Sequence, residues 1–219
     1  MKKLSCILAV LLVCSMALTA CGGGGGTSGS TTGGGSGTPS GSGGQGAFSS
    51  GSYTFRTSAE NKVVTENGTF TSADVSDPIL ITSIGQSADV SMLDALMKKV
   101  GNEYTFDATA SAEEVAGYKT VILACGASSK GLGAAGISQE EEIARAEAIV
   151  KTCKDNGITV IAAHLGGAAR RGALSDKFND MALSCASYIL VVEEGNDDGK
   201  FTDAATDKGV PVTLLHSIA

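Results

Sequence analysis

The residues with the most chemistry to offer fall in four short stretches. Gln86 and Ser87 lie in Gly85-Gln86-Ser87-Ala88-Asp89, and Ser129, Lys130 and Gly131 lie in Ser128-Ser129-Lys130-Gly131-Leu132-Gly133-Ala134-Ala135-Gly136. His164, Arg170 and Arg171 share His164-Leu165-Gly166-Gly167-Ala168-Ala169-Arg170-Arg171-Gly172-Ala173-Leu174-Ser175-Asp176, and Asn196 sits in Gly195-Asn196-Asp197-Asp198-Gly199. Two adjacent guanidiniums and an ammonium suit an anion, because a planar arginine takes a carboxylate or phosphate with two parallel hydrogen bonds. Helices expected to start near Ser87, Ser138 and Ser175 add unpaired N–H groups, each helix end contributing about 0.3–1 kcal/mol toward a nearby anion. The predicted ligand-binding set is therefore Gln86, Ser87, Ser129, Lys130, Gly131, His164, Arg170, Arg171 and Asn196, for a small anionic or zwitterionic solute. Against it stands a structural reading, in which Arg170 and Arg171 pair with Asp176, Glu193 or Glu194 and hold the loops. His164 ends an apolar run, so a satisfied structural histidine is its first reading and a ligand contact its second.

Other chemistries fit less well. The domain has two histidines, His164 and His216, and no close histidine–cysteine–carboxylate spacing of the zinc type, so no metal is expected. Ser83-Ile84-Gly85-Gln86-Ser87 only echoes a flavin phosphate loop, and the glycine-rich loops offer no aromatic ring to stack on an isoalloxazine. Gly131-Leu132-Gly133-Ala134-Ala135-Gly136 matches the dinucleotide fingerprint, but it follows the third strand instead of opening the first helix. No cofactor is expected. A serine hydrolase with Ser87 as nucleophile and His164 as base is the enzymatic alternative; Gly195-Asn196-Asp197 resembles a block in one esterase family, but the late Asp-x-x-His of that family is absent near His216. A protein-interaction module at the cell envelope is the third reading. The balance favours a binding domain over an enzyme.

The elements that must carry these stretches are legible from hydrophobic pattern. Residues 79–84, 120–124 and 188–192 are continuous apolar runs of the kind found in parallel strands covered on both faces. Strands are also expected at 103–107, 158–164 and 212–215. Between them fall an amphipathic helix over 87–100, a short helix from Ser111, and a long one opened by the Ser138–Glu141 capping box and closed at Asn156-Gly157. A helix over 175–187 with Ser175 as N-cap and another over 200–208, stopped by Gly209, complete the series. Strands alternating with helices predict a three-layer α/β sandwich around a mainly parallel, flavodoxin-like or Rossmann-like doubly wound sheet. Its switch point would lie between the first and third of these strands. All strand-to-helix loops then converge on one rim, including a long loop over 126–136. They are longer than the helix-to-strand turns opposite, and long flexible loops cost entropy to order.

The N-terminal part reads differently. Met1-Lys2-Lys3, an apolar run and Leu18-Thr19-Ala20-Cys21 have the form of a signal peptide over residues 1–20. That ending resembles the lipobox of bacterial lipoproteins, which implies a lipid such as palmitate on Cys21 and an extracytoplasmic, membrane-anchored protein. Residues 22–46 contain only Gly, Ser, Thr, one Pro and one Gln. With no apolar group to offset ordering, residues 21–51 are expected to be a flexible tether. Its 25-residue low-complexity part would reach roughly 25–30 Å. Residues 52–76 are expected to form an edge hairpin packed on the main domain or an exposed appendage, with Asn67-Gly68 turning the hairpin between 63–65 and 69–71. Residues 77–219 then form the α/β domain. Without Lys2 and Lys3 the chain has 14 basic and 23 acidic residues, net −9, which argues against a nucleic-acid partner. Cys125, Cys153 and Cys185 read as buried small hydrophobes, with a Cys153–Cys185 disulfide as the alternative.

Taken together, Gly-Gln-Ser-Ala-Asp (85–89), Ser-Ser-Lys-Gly-Leu-Gly-Ala-Ala-Gly (128–136), the His164 to Asp176 stretch and Gly-Asn-Asp-Asp-Gly-Lys-Phe-Thr (195–202) resemble an uncharacterised family of secreted bacterial domains, over about residues 78–218. The resemblance implies an exported α/β domain and carries over no catalytic residue. Partners would be the solute, the bilayer through Cys21, and a membrane transporter or envelope protein.

Overall fold

The computed structural model describes residues 47–50 and 53–56 as backbone, and residues 63–216 in full. Residues 1–20, expected to be a signal peptide, Cys21 and most of the expected tether lie outside the described residues. Ala47–Ser50 (β1), at the end of the stretch assigned to the tether, pairs antiparallel with Tyr53–Arg56 (β2).

Seven further strands form one sheet. In chain order they are β3 (Val63–Glu66), β4 (Ile79–Ile84), β5 (Thr105–Phe106), β6 (Thr120–Cys125), β7 (Thr159–His164), β8 (Tyr188–Val192) and β9 (Val212–Leu215). Across the sheet they run β3-β9-β8-β7-β6-β4-β5. Every pairing is parallel except that of β3 with β9. The doubly wound, flavodoxin-like order expected from the pattern is present, with β4 and β6 adjacent at the switch point.

The helices are α1 (Asp89–Val100), α2 (Ala112–Val115), α3 (Ser129–Ala135), α4 (Gln139–Asp155), α5 (Ala173–Cys185) and α6 (Lys200–Lys208). Alternation along each strand divides the core into two layers. Leu80, Ile84, Val121, Leu123, Val160, Ile189 and Leu214 pack against Val115, Ile149, Phe178 and Phe201 from α2, α4, α5 and α6. Ile79, Ile81, Ile122, Ile161 and Leu190 pack against Val90, Leu93 and Met97 of α1. On that second face Phe70 stacks on Tyr188, with ring centroids 4.4 Å apart. Val90, Leu93 and Met97 fall at helical spacing, and Gly101 ends α1 in the left-handed region with its N–H on the Met97 carbonyl.

Several expectations need correction. No hairpin forms at Asn67-Gly68: β3 pairs with β9, Val63 opposite Leu215 and Glu66 opposite Val212. The Asn67 amide donates to the Ala205 and Val210 carbonyls, so the turn is fastened to the end of α6 and residues 69–71 are free to leave the sheet. The long loop over 126–136 is mostly helix, because Ser128 caps α3 through Gly131 N–H and Gly136 ends it in the left-handed region. Helix α5 starts at Ala173, two residues before the predicted cap Ser175, with Gly172 at the N-cap position, and Ser175 Oγ instead bonds the backbone of Ala127. Strand β5 keeps only two of the five predicted residues. Cys125, Cys153 and Cys185 are free thiols, so the Cys153–Cys185 disulfide is absent.

Candidate functional site

The rim is built at the switch point by close backbone contact. Gly85 and Gly126 both have positive φ, and a Cβ on Gly85 would lie 2.3 Å from the Gly126 carbonyl oxygen. A Cβ on Gly131 would lie 1.9 Å from the Gln86 carbonyl oxygen. Both positions therefore require glycine because loops pass there without room for a side chain. Much of the glycine in these stretches serves packing between loops, and the length of the stretches is not by itself a sign of a flexible binding surface.

Beneath that contact lies a carboxylate that the sequence pattern did not single out. Glu142 is fully buried. Its Oε1 accepts from Gly85 N–H at 2.7 Å, Gln86 Nε2 at 3.3 Å and Arg145 Nη2 at 2.8 Å, and its Oε2 accepts from Arg145 Nε at 2.8 Å. Arg145 continues to the carbonyls of Ala110 and Ser83. The i, i+3 spacing of Glu142 and Arg145 was the available signal. Gln86 is thus held inside, its Nε2 also donating to Ala108 O at 3.0 Å. Ser87 is buried too, and its Oγ accepts from Asp89 N–H at 3.3 Å.

Asp89 was missed as well, although it closes the Gly85 to Asp89 motif. It is 1% exposed, and its Oδ2 accepts from Leu165 N–H at 3.2 Å and Gly166 N–H at 2.8 Å. It thereby ties α1 to a 3₁₀ turn over Gly167–Arg170, which carries Arg170 and is followed by Arg171.

The two arginines separate at this turn. Arg171 Nε donates to Asp176, Nη1 to Asp198 and the Gly195 carbonyl, and Nη2 to Asp198 and more distantly to Asp176. Its five N–H groups are all directed at these partners, and its guanidinium lies 5.6 Å from the centre of the Phe201 ring. For Arg171 the structural reading replaces the ligand-binding one, with Asp198 as an unforeseen partner. The Arg171 hydrogen bond holds Asp198 down to about 2. At Asp176 burial would raise the carboxyl, but Arg171, Asn179 and Gly172 N–H outweigh it and leave it lowered. Arg170, in contrast, approaches one Asp89 oxygen at 4.0 Å, with its side chain 31% exposed.

Asn196 and His164 are also turned inward. Asn196 Oδ1 accepts from the N–H groups of Phe201 and Thr202, so it caps α6 and is not placed for a ligand. His164 is buried beside Phe201, with ring centroids 4.8 Å apart. Its Nδ1 lies 3.2 Å from Cys125 O and its Nε2 3.2 Å from Gly167 O. Burial lowers its affinity for a proton, outweighing the Gly167 carbonyl, Asp89 and the Cys125 carbonyl, and Arg171 adds to the lowering. With both ring nitrogens facing carbonyls, His164 is not positioned as a base for Ser87. Ser129 and Lys130 are exposed at the start of α3, and Gly131 is half-buried against Gln86.

The structure thus brings the four stretches to one rim but commits Gln86, Ser87, Gly131, His164, Arg171 and Asn196 internally. Arg170, Lys130 and Ser129 are the predicted residues that keep exposed polar groups there. Among the described residues no group of three or more His, Cys, Asp or Glu is arranged to hold a metal ion. Two surface depressions lie away from the rim, one of about 490 Å³ lined by Leu80, Thr105 and Tyr118, the other of about 350 Å³ between α4 and α5.

Among solved structures the chain is similar to a GDSL-like lipase from Bacteroides thetaiotaomicron VPI-5482, at 11% identity and a TM-score of 0.27, over 64% of this chain and 72% of that one. No curated protein matches it in sequence. The profile of the family described as Domain of unknown function (DUF6305) matches residues 76–219, the whole of the doubly wound part, and the chain belongs to that family.

Proposed function

We propose that the chain is a bacterial lipoprotein, held outside the cytoplasm by a palmitate-bearing Cys21, whose α/β domain takes a small anionic or zwitterionic solute at the C-terminal rim of its sheet. The anchoring half of this reading is supported by the Leu18 to Cys21 ending and by the polar tether. The binding half is carried by one observation: where Arg171 is fully paired, Arg170 keeps a partly exposed side chain whose single partner among the described residues lies at 4.0 Å. Lys130 and Ser129 stand exposed at the same rim. The four motifs then serve to build this edge, and the site narrows from nine residues to Arg170, Lys130 and Ser129. The solute would pass to a membrane transporter or to another envelope protein.

A thermal-shift panel of phosphate, sulfate and small carboxylates tests the binding half. Stabilisation by at least one anion, lost in Arg170→Glu, supports it, and a flat panel refutes it. Labelling cells with an alkynyl fatty acid tests the anchor, with incorporation expected in the native chain and none in Cys21→Ser.

A further inference from the structure

We propose that Asp89 is the resident counter-ion of Arg170 and that it restrains the rim's affinity for a polyvalent oxyanion more than for a monocarboxylate, an inference that rests on the anion site proposed above. The carboxylate is fixed in place. Its Oδ2 holds the N–H groups of Leu165 and Gly166, while its Oδ1 faces Arg170 Nε at 4.0 Å. The arginine stem is fixed as well. A Cβ on Gly166 would lie 2.0 Å from Arg170 Cγ and 2.8 Å from Asp89 Oδ1, and one on Gly126 would lie 3.3 Å from Arg170 Cβ. Gly166 is thus the opening through which the arginine lies along the turn and reaches the carboxylate. Nε is the atom nearest Asp89, and among the described residues the four Nη hydrogens have no hydrogen-bond acceptor.

An arriving anion is drawn to Arg170 and repelled by Asp89 behind it. Both effects scale with the charge of the ligand. A monoanion gains one small difference, a dianion gains twice that difference, and a two-oxygen edge also matches the Nη pair. Asp89 therefore offsets part of the attraction of Arg170 in proportion to ligand charge, and its removal strengthens binding of a dianion more than that of a monoanion.

Isothermal titration of the detergent-solubilised full chain with inorganic phosphate at about pH 8, and separately with acetate, tests this. The native chain is expected to bind phosphate more tightly than acetate. Asp89→Asn keeps an amide oxygen for Leu165 and Gly166, and is expected to tighten phosphate about tenfold and acetate about threefold. Arg170→Gln is expected to abolish both. Native phosphate binding that Asp89→Asn leaves unchanged or weakens overturns the counter-ion role while sparing the anion site. Failure of the native chain to bind either anion overturns the site itself. If Asp89→Asn does not fold, the native amide resonances of Leu165 and Gly166 decide. Shifts with phosphate that vanish in Arg170→Gln support the coupling, and unmoved resonances overturn it.

Discussion

Arg171 reaches two aspartates and a backbone carbonyl, whereas Arg170, one residue earlier, meets among the described residues a single carboxylate oxygen at 4.0 Å. The partners of Arg171 come from α5 and from the loop before α6, so its side chain stitches two elements together. The partner of Arg170 is a carboxylate already engaged by the backbone of the turn itself. Neighbouring cations of the same type can thus serve structure and recognition separately, according to what the fold sets opposite each. Glu142 with Arg145 belongs with Arg171: a buried pair that fixes a loop and leaves little for a ligand.

This division is tested most strongly at the buried clasp. Glu142→Ala leaves Arg145 and the Gly85 N–H without their carboxylate, and urea denaturation is expected to show a loss of about 3–5 kcal/mol. Arg171→Ala removes charged hydrogen bonds in a half-exposed setting and is expected to cost about 2 kcal/mol by the same measurement. Arg170→Ala is expected to cost under about 1 kcal/mol, since one long, partly exposed pair contributes little. A large loss there, or none for Arg171→Ala, would erase the contrast.

Acidity provides a smaller effect. The folded His164 binds a proton less readily than an unfolded histidine, whose pKa is about 6.5. The unfolded state therefore takes up the proton first, and stability falls as pH drops through about 6.5 toward the lower folded value. Melting temperature is expected to fall more between about pH 8 and pH 5 in a His216→Gln background than in the His216→Gln/His164→Gln double variant. Equal slopes would show that His164 is not the group responsible. The Arg171–Asp198 bond lies at the other end of the scale. With Asp198 held to about 2, its contribution persists at neutral pH and fades only as pH falls below the ordinary carboxylate range toward that value.

The sheet was legible because parallel strands buried on both faces are written as apolar runs, and 79–84 and 188–192 match their strands end to end. Helix α6 was equally plain, bounded by Gly199 and Gly209, both in the left-handed region. Residues 63–71 were not, because a hairpin and an edge strand have the same local pattern, and the pairing of Val63 with Leu215 spans most of the domain. The rim was legible as a place. Which of its side chains face outward was not, because Asp198 and Asp89 are brought to the arginines by other elements, at sequence distances that periodicity does not report. Glycine misled in particular: at Gly85 and Gly131 it marks loop contact, although the same residue type also marks mobile loops.

The most direct test of the Arg170 site is amide chemical-shift mapping of the chain titrated with inorganic phosphate. The account predicts shifts concentrated in residues 126–130 and 165–170, centred on Arg170 and lost in Arg170→Gln, with the Arg171–Asp198 region unmoved. Shifts centred on Arg171 and residues 195–199, or spread evenly over the surface, would contradict it.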